Sequence, residues 1–263
     1  MGNRPRVVAT DLDGTLLRSD GSLSPRTREA IAAAEAAGIP TLFVTGRPPR
    51  LLDELADAVG GHGIAICGNG AFVYDVSART VVTSRGHDTE LMAAVVADLR
   101  AAVPGIAFAV ERADGMGREL GFMPARDTPD DRAIGTFEEI STTPVGKLLA
   151  RVPGAEPDDF LRKVMAVVDG RAELAFSGIV GLAEMTGQGI TKASGLAAWC
   201  AEHGIDAAEV WACGDMPNDL PMLAWAGRSY AVANAHPDVH AAATDVIASN
   251  DDDAVAQLLE SLL

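Results

Sequence analysis

Asp11 and Asp13 stand two residues apart, where the apolar run Val7-Val8-Ala9-Thr10 ends and Gly14 opens a turn. An apolar run of this length reads as a short buried strand, and α/β proteins carry their chemistry at the carboxyl ends of such strands. Residues i and i+2 of an extended chain point the same way, so both acids face one cavity until Gly14 lets the backbone turn. Two anions held that close repel each other, and a divalent cation relieves the repulsion. The pair also fits a plainer role, with Asp11 ending a strand and Asp13-Gly14 marking an ordinary turn.

Three further strand candidates end in polar clusters. Residues 41–44 lead to Thr45-Gly46-Arg47, residues 64–67 to Gly68-Asn69-Gly70, and residues 210–213 to Gly214-Asp215-Met216-Pro217-Asn218-Asp219. Helical segments separate them: Ser24-Pro25 opens one that stops at Gly38, a second covers about 49–59, and a third runs over 192–203. Strands at 229–232 and 245–247 and a C-terminal helix from about residue 252 complete the pattern. Alternating strands and helices predict a parallel, right-handed, Rossmann-like sheet of the doubly wound kind. Its carboxyl edge then gathers all four polar clusters.

From about residue 84 the alternation changes. Helices are expected at 89–103 and 157–168, strands at 106–110, 119–123, 145–152, 172–176 and 181–185, and a polar loop with a short helix at 126–143. Strands that come in adjacent pairs suggest an antiparallel sheet with helices on one side. The expected division is therefore a core of residues 1–83 and 187–263 with an α+β unit, 84–186, inserted into it.

Composition narrows the function. The chain of 263 residues carries 37 acidic and 21 basic residues, a net charge of −16, which disfavours nucleic acid and anionic membranes as partners. A phosphorylated small molecule would also be repelled unless a metal and a few Lys or Arg invert the potential locally. Cys67, Cys200 and Cys213 have no metal-like spacing and read as reduced core thiols of a cytoplasmic protein. No apolar run reaches membrane-spanning length. Oligomeric state leaves no mark in the sequence.

The string Asp11-Leu12-Asp13-Gly14-Thr15-Leu16-Leu17 resembles the first motif of the haloacid dehalogenase (HAD) superfamily, most of whose members are Mg-dependent phosphohydrolases. The resemblance extends to Thr45, Lys192 and the 214–219 cluster as second, third and fourth motifs. The phrases V-T-G-R at 44–47, N-G-A at 69–71, A-C-G-D-M-P-N-D-L-P-M-L at 212–223 and A-N-A at 233–235 are similar to the Cof-type subfamily, subclass IIB, with its C2B-type cap between the second and third motifs.

That resemblance implies a role for each residue. Asp11 would be the nucleophile that forms an aspartyl-phosphate, and Asp13 the general acid and then base. Asp11, Asp13 through its backbone carbonyl, and Asp215 would hold Mg²⁺. Thr45, Gly46, Lys192 and Asn218 would bind the phosphoryl group, and Asp219 would orient Lys192 or a water on the metal. Arg47 and Asn69 are supporting candidates; Arg47 also fits a surface arginine and Asn69 a left-handed turn residue. The implied activity is hydrolysis of a small phosphorylated metabolite, a sugar phosphate first, with a phosphomutase and a phospho-Asp regulatory protein as alternatives. In the inserted unit, Arg112, Arg118 and Lys147 could each reach a substrate, and each equally fits a solvated cation.

Other features invite chemistry less strongly. His236 and His240 have the i, i+4 spacing of a zinc pair, but Pro237 puts His236 at a helix cap rather than on the same face. Asp251-Asp252-Asp253 fits the acidic first turn of a helix. The chain departs from the subfamily at Asp253-Ala254-Val255, where glycine is usual at the middle position, and at Met216-Pro217.

Overall fold

Strand β1, Val7–Thr10, is fully buried and lies between two parallel neighbours, β2 (Thr41–Val44) and β12 (Val210–Gly214). The computed structural model describes residues 4–53, 56, 63–124, 131–175 and 180–263. Its first sheet has the order β14-β13-β12-β1-β2-β3-β4-β5, with β3 at Ile64–Cys67, β4 at Phe72–Asp75, β5 at Thr80–Ser84, β13 at Arg228–Val232 and β14 at Asp245–Ile247. The strands from β14 to β3 are parallel. The chain winds outward from β1 to one side through β2 and β3, and to the other through β12, β13 and β14. Order reverses beside β1, and loops that leave neighbouring strands there diverge to form a crevice.

The helices follow from local signals. In α1 (Pro25–Ala36) the Ser24 side chain accepts from Thr27 N–H and Pro25 occupies the first turn. Of the helix expected at 49–59, the 3₁₀ turn Pro49–Leu51 is present and most of the remainder lies outside the described residues. The antiparallel hairpin β4–β5 extends the first sheet and was not foreseen. In β5 half-buried and exposed residues alternate, so it lacks the continuous apolar run that marks the parallel strands.

The second sheet is built from residues between β5 and the helix at 192, in the order β10-β11-β9-β6-β7-β8. Its strands are β6 (Ala107–Arg112), β7 (Gly115–Arg118), β8 (Asp131–Ile134), β9 (Lys147–Arg151), β10 (Ala172–Ala175) and β11 (Ala183–Gly187). Pairing is antiparallel except between β7 and β8, which run parallel. Helices α2 (Thr89–Ala102) and α4 (Pro157–Val168) pack on one face, where Leu99, Val164 and Phe160 meet Phe108, Leu148 and Met185. The four-residue α3, Phe137–Ile140, lies between them in sequence.

One predicted strand is absent. Residues 119–123 form a turn, and the strand is Gly115–Arg118 just before it. Two glycines gave that segment little strand signal, yet a Cβ at Gly117 would come within 2.9 Å of the Ile140 Cβ. Glu119 spends its carboxylate on Phe108 N–H, at 2.8 Å, and on Arg100. The three cysteines are free and buried, and burial pushes the thiols up, Cys213 to about 12 and Cys200 to about 11. Among the described residues no helix is long and apolar enough to cross a membrane.

Candidate active site

Adjacent positions in the sheet bring the first and fourth polar clusters together. Thr10 is level with Cys213, and Asp11 N–H donates to Cys213 O at 3.0 Å, so Asp11 and Asp215 leave neighbouring strands side by side. Gly14 turns the first loop with φ +82°, and a Cβ there would stand 2.4 Å from Asp215 Oδ2. Only glycine permits this approach. Asn234, in the A-N-A stretch after β13, donates to Gly14 O at 2.7 Å and accepts from Asn250 N–H, while Asn250 donates to Leu17 O. The first loop is thereby tied down at both ends.

Lys192 is the first residue of α5 (Lys192–Glu202), whose cap is the Thr191 side chain. An ammonium at a helix N-terminus opposes the helix dipole, and this one is also 2% exposed. Two carboxylates compensate: Nζ donates to Asp11 Oδ1 at 2.6 Å and to Asp219 Oδ1 at 2.7 Å. Gly70 brings the helix start into place, since its φ is +99° and a Cβ would meet Thr191 O at 2.1 Å. The other oxygen of Asp219 accepts from the amides of Asp215 and Met216, both at 3.0 Å. Asp219 therefore fixes Lys192 and shapes its own loop at once.

Charge in this cluster is out of balance. Asp11, Asp215 and Asp219 each bring a carboxylate oxygen within 4.8 Å of the others, against the ammonium of Lys192. Burial raises the Asp11 pKa well above the ordinary carboxylate range; Lys192 opposes this, and Asp219 and Asp215 add to it. Asp215 is pushed up to about 6 by burial and by Asp219, against a hydrogen bond from Thr15 Oγ1 at 2.9 Å. Burial disfavours the Lys192 ammonium, yet Asp11 and Asp219 outweigh it and hold the pKa above the usual lysine value. Hard oxygen donors with unneutralised charge suit a divalent cation. Asp219 has both oxygens engaged, so Asp11 and Asp215 are the carboxylates with oxygens left for one.

Asp13 faces another way. Its side chain is 54% exposed and held by Arg47 in a two-pronged pair, Nε to Oδ2 at 2.8 Å and Nη2 to Oδ1 at 2.5 Å. The Asp13 carboxylate thus lies apart from the acidic cluster, and the sequence had given no sign that Arg47 would take it. The Thr45 hydroxyl accepts from Arg47 N–H at 3.0 Å and keeps its own proton to donate. Asn69 sits in the left-handed region at φ 57°, as the turn reading expects, and sends its side chain to Glu184 at 3.4 Å. Asn218 Oδ1 is buried with no hydrogen-bond partner.

These groups open into one cavity of about 280 Å³, closed on the far side by the second sheet. Asp11, Asp13, Thr45, Gly46, Arg47, Lys192 and Asn218 line the near side. Of the three cations expected from the inserted unit, Lys147 lines the cavity. Arg112 turns to Ile140 O and Asp114, and Arg118 reaches Phe122 O. Sequence reasoning missed Arg50, Glu111 and Glu184, which also line it. Arg50 grips Glu111 at 2.8 and 2.9 Å, and Glu184 pairs with Lys147.

Residues 8–259 match the family model of the haloacid dehalogenase-like hydrolases. The chain belongs to that family. This HAD-like hydrolase is 28% identical to the pyridoxal phosphate phosphatase YbhA of Escherichia coli over 98% of both chains. It is 27% identical, again over 98% of both, to the 5-amino-6-(5-phospho-D-ribitylamino)uracil phosphatase YwtE of Bacillus subtilis. A solved haloacid dehalogenase-like hydrolase from B. subtilis shares its fold with a TM-score of 0.84 at 21% identity, covering 98% of this chain and 100% of that one.

Two distracting features of the HAD-like hydrolase have structural explanations. His236 caps the helix α6, Pro237–Ala242, with Nδ1 accepting from Asp238 N–H. Asp251, Asp252 and Asp253 each have a specific partner, Ser19, Ser249 and Arg18 respectively, which goes beyond the helix-dipole explanation. Asp253 itself takes the left-handed conformation, φ 59°, next to the non-glycine Ala254.

Proposed function

We propose that this chain is a Mg²⁺-dependent phosphatase of small phosphorylated metabolites, sugar phosphates foremost, with residues 84–186 acting as a cap over the site. One observation carries the reading: a buried carboxylate, Asp11, stands 2.6 Å from a buried ammonium inside an acidic cluster, at the floor of a cavity between the two sheets. The names of YbhA and YwtE, both phosphatases, support it.

The chain's own residues supply the steps. An Asp11 oxygen attacks phosphorus, the bond from phosphorus to the alcohol oxygen breaks, and Asp13 gives the departing alcohol its proton. Asp13 then takes a proton from water as that water attacks the aspartyl-phosphate, which frees Asp11 and inorganic phosphate. Asp13 lines the cavity beside Asp11, where Arg47 holds it at the wall. Lys192 has three N–H donors and gives two to Asp11 and Asp219, so the third remains for a phosphoryl oxygen. Thr45 adds its hydroxyl, and Asn218, whose Nδ2 gives one N–H to Asn69 Oδ1 at 3.4 Å and keeps a second, lies at the same wall.

Mg²⁺ held by Asp11, Asp215 and the Asp13 carbonyl would neutralise charge on the phosphoryl oxygens. Closure by the second sheet keeps bulk water from the intermediate. The test is hydrolysis of p-nitrophenyl phosphate and a panel of metabolite phosphates with added Mg²⁺. Release of inorganic phosphate is expected, and inactivity toward the whole panel would contradict the reading.

A further inference from the structure

Lys147 and Glu184 wall the cavity but have no part in the chemistry at phosphorus. Both are 3% exposed, and they pair with each other from β9 and β11. A buried ion pair is a poor source of stability, because desolvation offsets its attraction. Its placement is more telling. Lys147 Nζ donates to Gly46 O at 2.9 Å, and Asn69 donates to Glu184 at 3.4 Å, so the pair is anchored on the loops at the phosphoryl end.

Leu149, two residues further along β9, and Leu182, just before β11, also face the cavity, beside Met116 and Phe122. Beyond the phosphoryl position the cavity therefore offers an apolar wall with the Lys147 donor and the Glu184 acceptor at its edge. A hydroxyl satisfies both, accepting from the ammonium and donating to the carboxylate. A second carboxylate or phosphate would face Glu184 and Glu111, and the cations beside them, Lys147 and Arg50, are already committed to those two acids.

We propose that the Lys147–Glu184 pair determines leaving-group specificity by reading an uncharged hydroxyl-type group, so that the substrate is the monophosphate of a neutral alcohol and not an ester bearing a second anionic group. This rests on the phosphatase reading above. The chain with Mg²⁺ is assayed on sorbitol 6-phosphate and on 6-phosphogluconate, which differ by a carboxylate in place of a hydroxymethyl group, with p-nitrophenyl phosphate as reference. The expected result is kcat/KM at least about tenfold higher for the sorbitol ester, the size of one unpaired polar group in a buried site.

The double variant Lys147→Met, Glu184→Gln removes both charges without stranding either. It is expected to lower the ratio of kcat/KM for sorbitol 6-phosphate to that for p-nitrophenyl phosphate by about tenfold, mainly through KM. Equal or better turnover of 6-phosphogluconate overturns the proposal, as does hydrolysis of the aryl ester with neither polyol ester accepted, or an equal loss on both esters in the variant. Should the variant fail to fold, the comparison on the unaltered chain decides alone. If the aryl ester is not hydrolysed either, the phosphatase reading fails and takes the proposal with it.

Discussion

The two walls of the cavity treat charge in opposite ways. On the side of the first sheet, Asp11, Asp215 and Asp219 crowd around the ammonium of Lys192, and burial drives the pKa of Asp11 and Asp215 upward. On the side of the second sheet, Glu111 is matched by Arg50 and Glu184 by Lys147. On the proposed reading the unbalanced wall would be completed by a divalent cation and, with it, a phosphoryl group; a balanced one needs no counterion and is suited to neutral contacts. A chain of net charge −16 would then accept an anion at one wall only, where a bound metal and Lys192 invert the potential.

The comparison breaks first at Asp11. The variant Asp11→Asn is expected to lower hydrolysis of p-nitrophenyl phosphate by at least about ten-thousandfold while circular dichroism shows the fold retained. Substantial remaining turnover would remove Asp11 from its role. Chelation by EDTA is expected to stop activity and Mg²⁺ to restore it; turnover without metal would mean that the unbalanced wall is complete as it stands.

Stability sharpens the contrast within the first wall. Lys192→Met strands Asp11 and Asp219 in the interior and is expected to cost about 3–5 kcal/mol in denaturant unfolding. Arg47→Ala breaks a pair whose acid is half in solvent, and should cost less than about 1 kcal/mol while lowering turnover about tenfold. Similar losses for the two variants would contradict the difference in burial.

A smaller effect follows from pH. Because the Asp215 pKa is raised from 3.8 to about 6, its contribution to stability is fully present when the acid is protonated, below its unfolded value. That contribution is lost as pH rises through about 6, so the metal-free protein is expected to melt at lower temperature at about pH 7 than the same site alone would allow at about pH 4. Mg²⁺ should offset this loss and bind more tightly across the same rise. A melting temperature whose response to Mg²⁺ is independent of pH would count against the assignment.

The parallel strands were legible because strands buried on both faces read as continuous apolar runs, and each ran into a polar cluster whose residue types suggested chemistry. Asp11, Lys192, Asp215 and Asp219 accordingly meet where the sequence placed them. The second sheet was harder. Gly115–Arg118 hid its strand behind two glycines, of which Gly117 is needed for packing against Ile140; in the first sheet, β5 was missed because one of its faces is exposed. Glu111, Lys147 and Glu184 sit in strands that look like surface strands, because a charged residue in a short run gives no sign of burial until its partner is known. Those partners come from far away: Arg50 lies 61 residues from Glu111. The direction of the Asp13 side chain was hidden for the same reason, since the motif fixes its place on the loop but not its bond to Arg47.

The central claim is that Asp11 attacks phosphorus and that water acts only in a second displacement. A phosphate monoester made chiral at phosphorus with oxygen isotopes tests it without altering the protein. Two in-line displacements predict net retention of configuration in the transfer to an acceptor alcohol; net inversion, the mark of direct attack by the acceptor, would contradict the account.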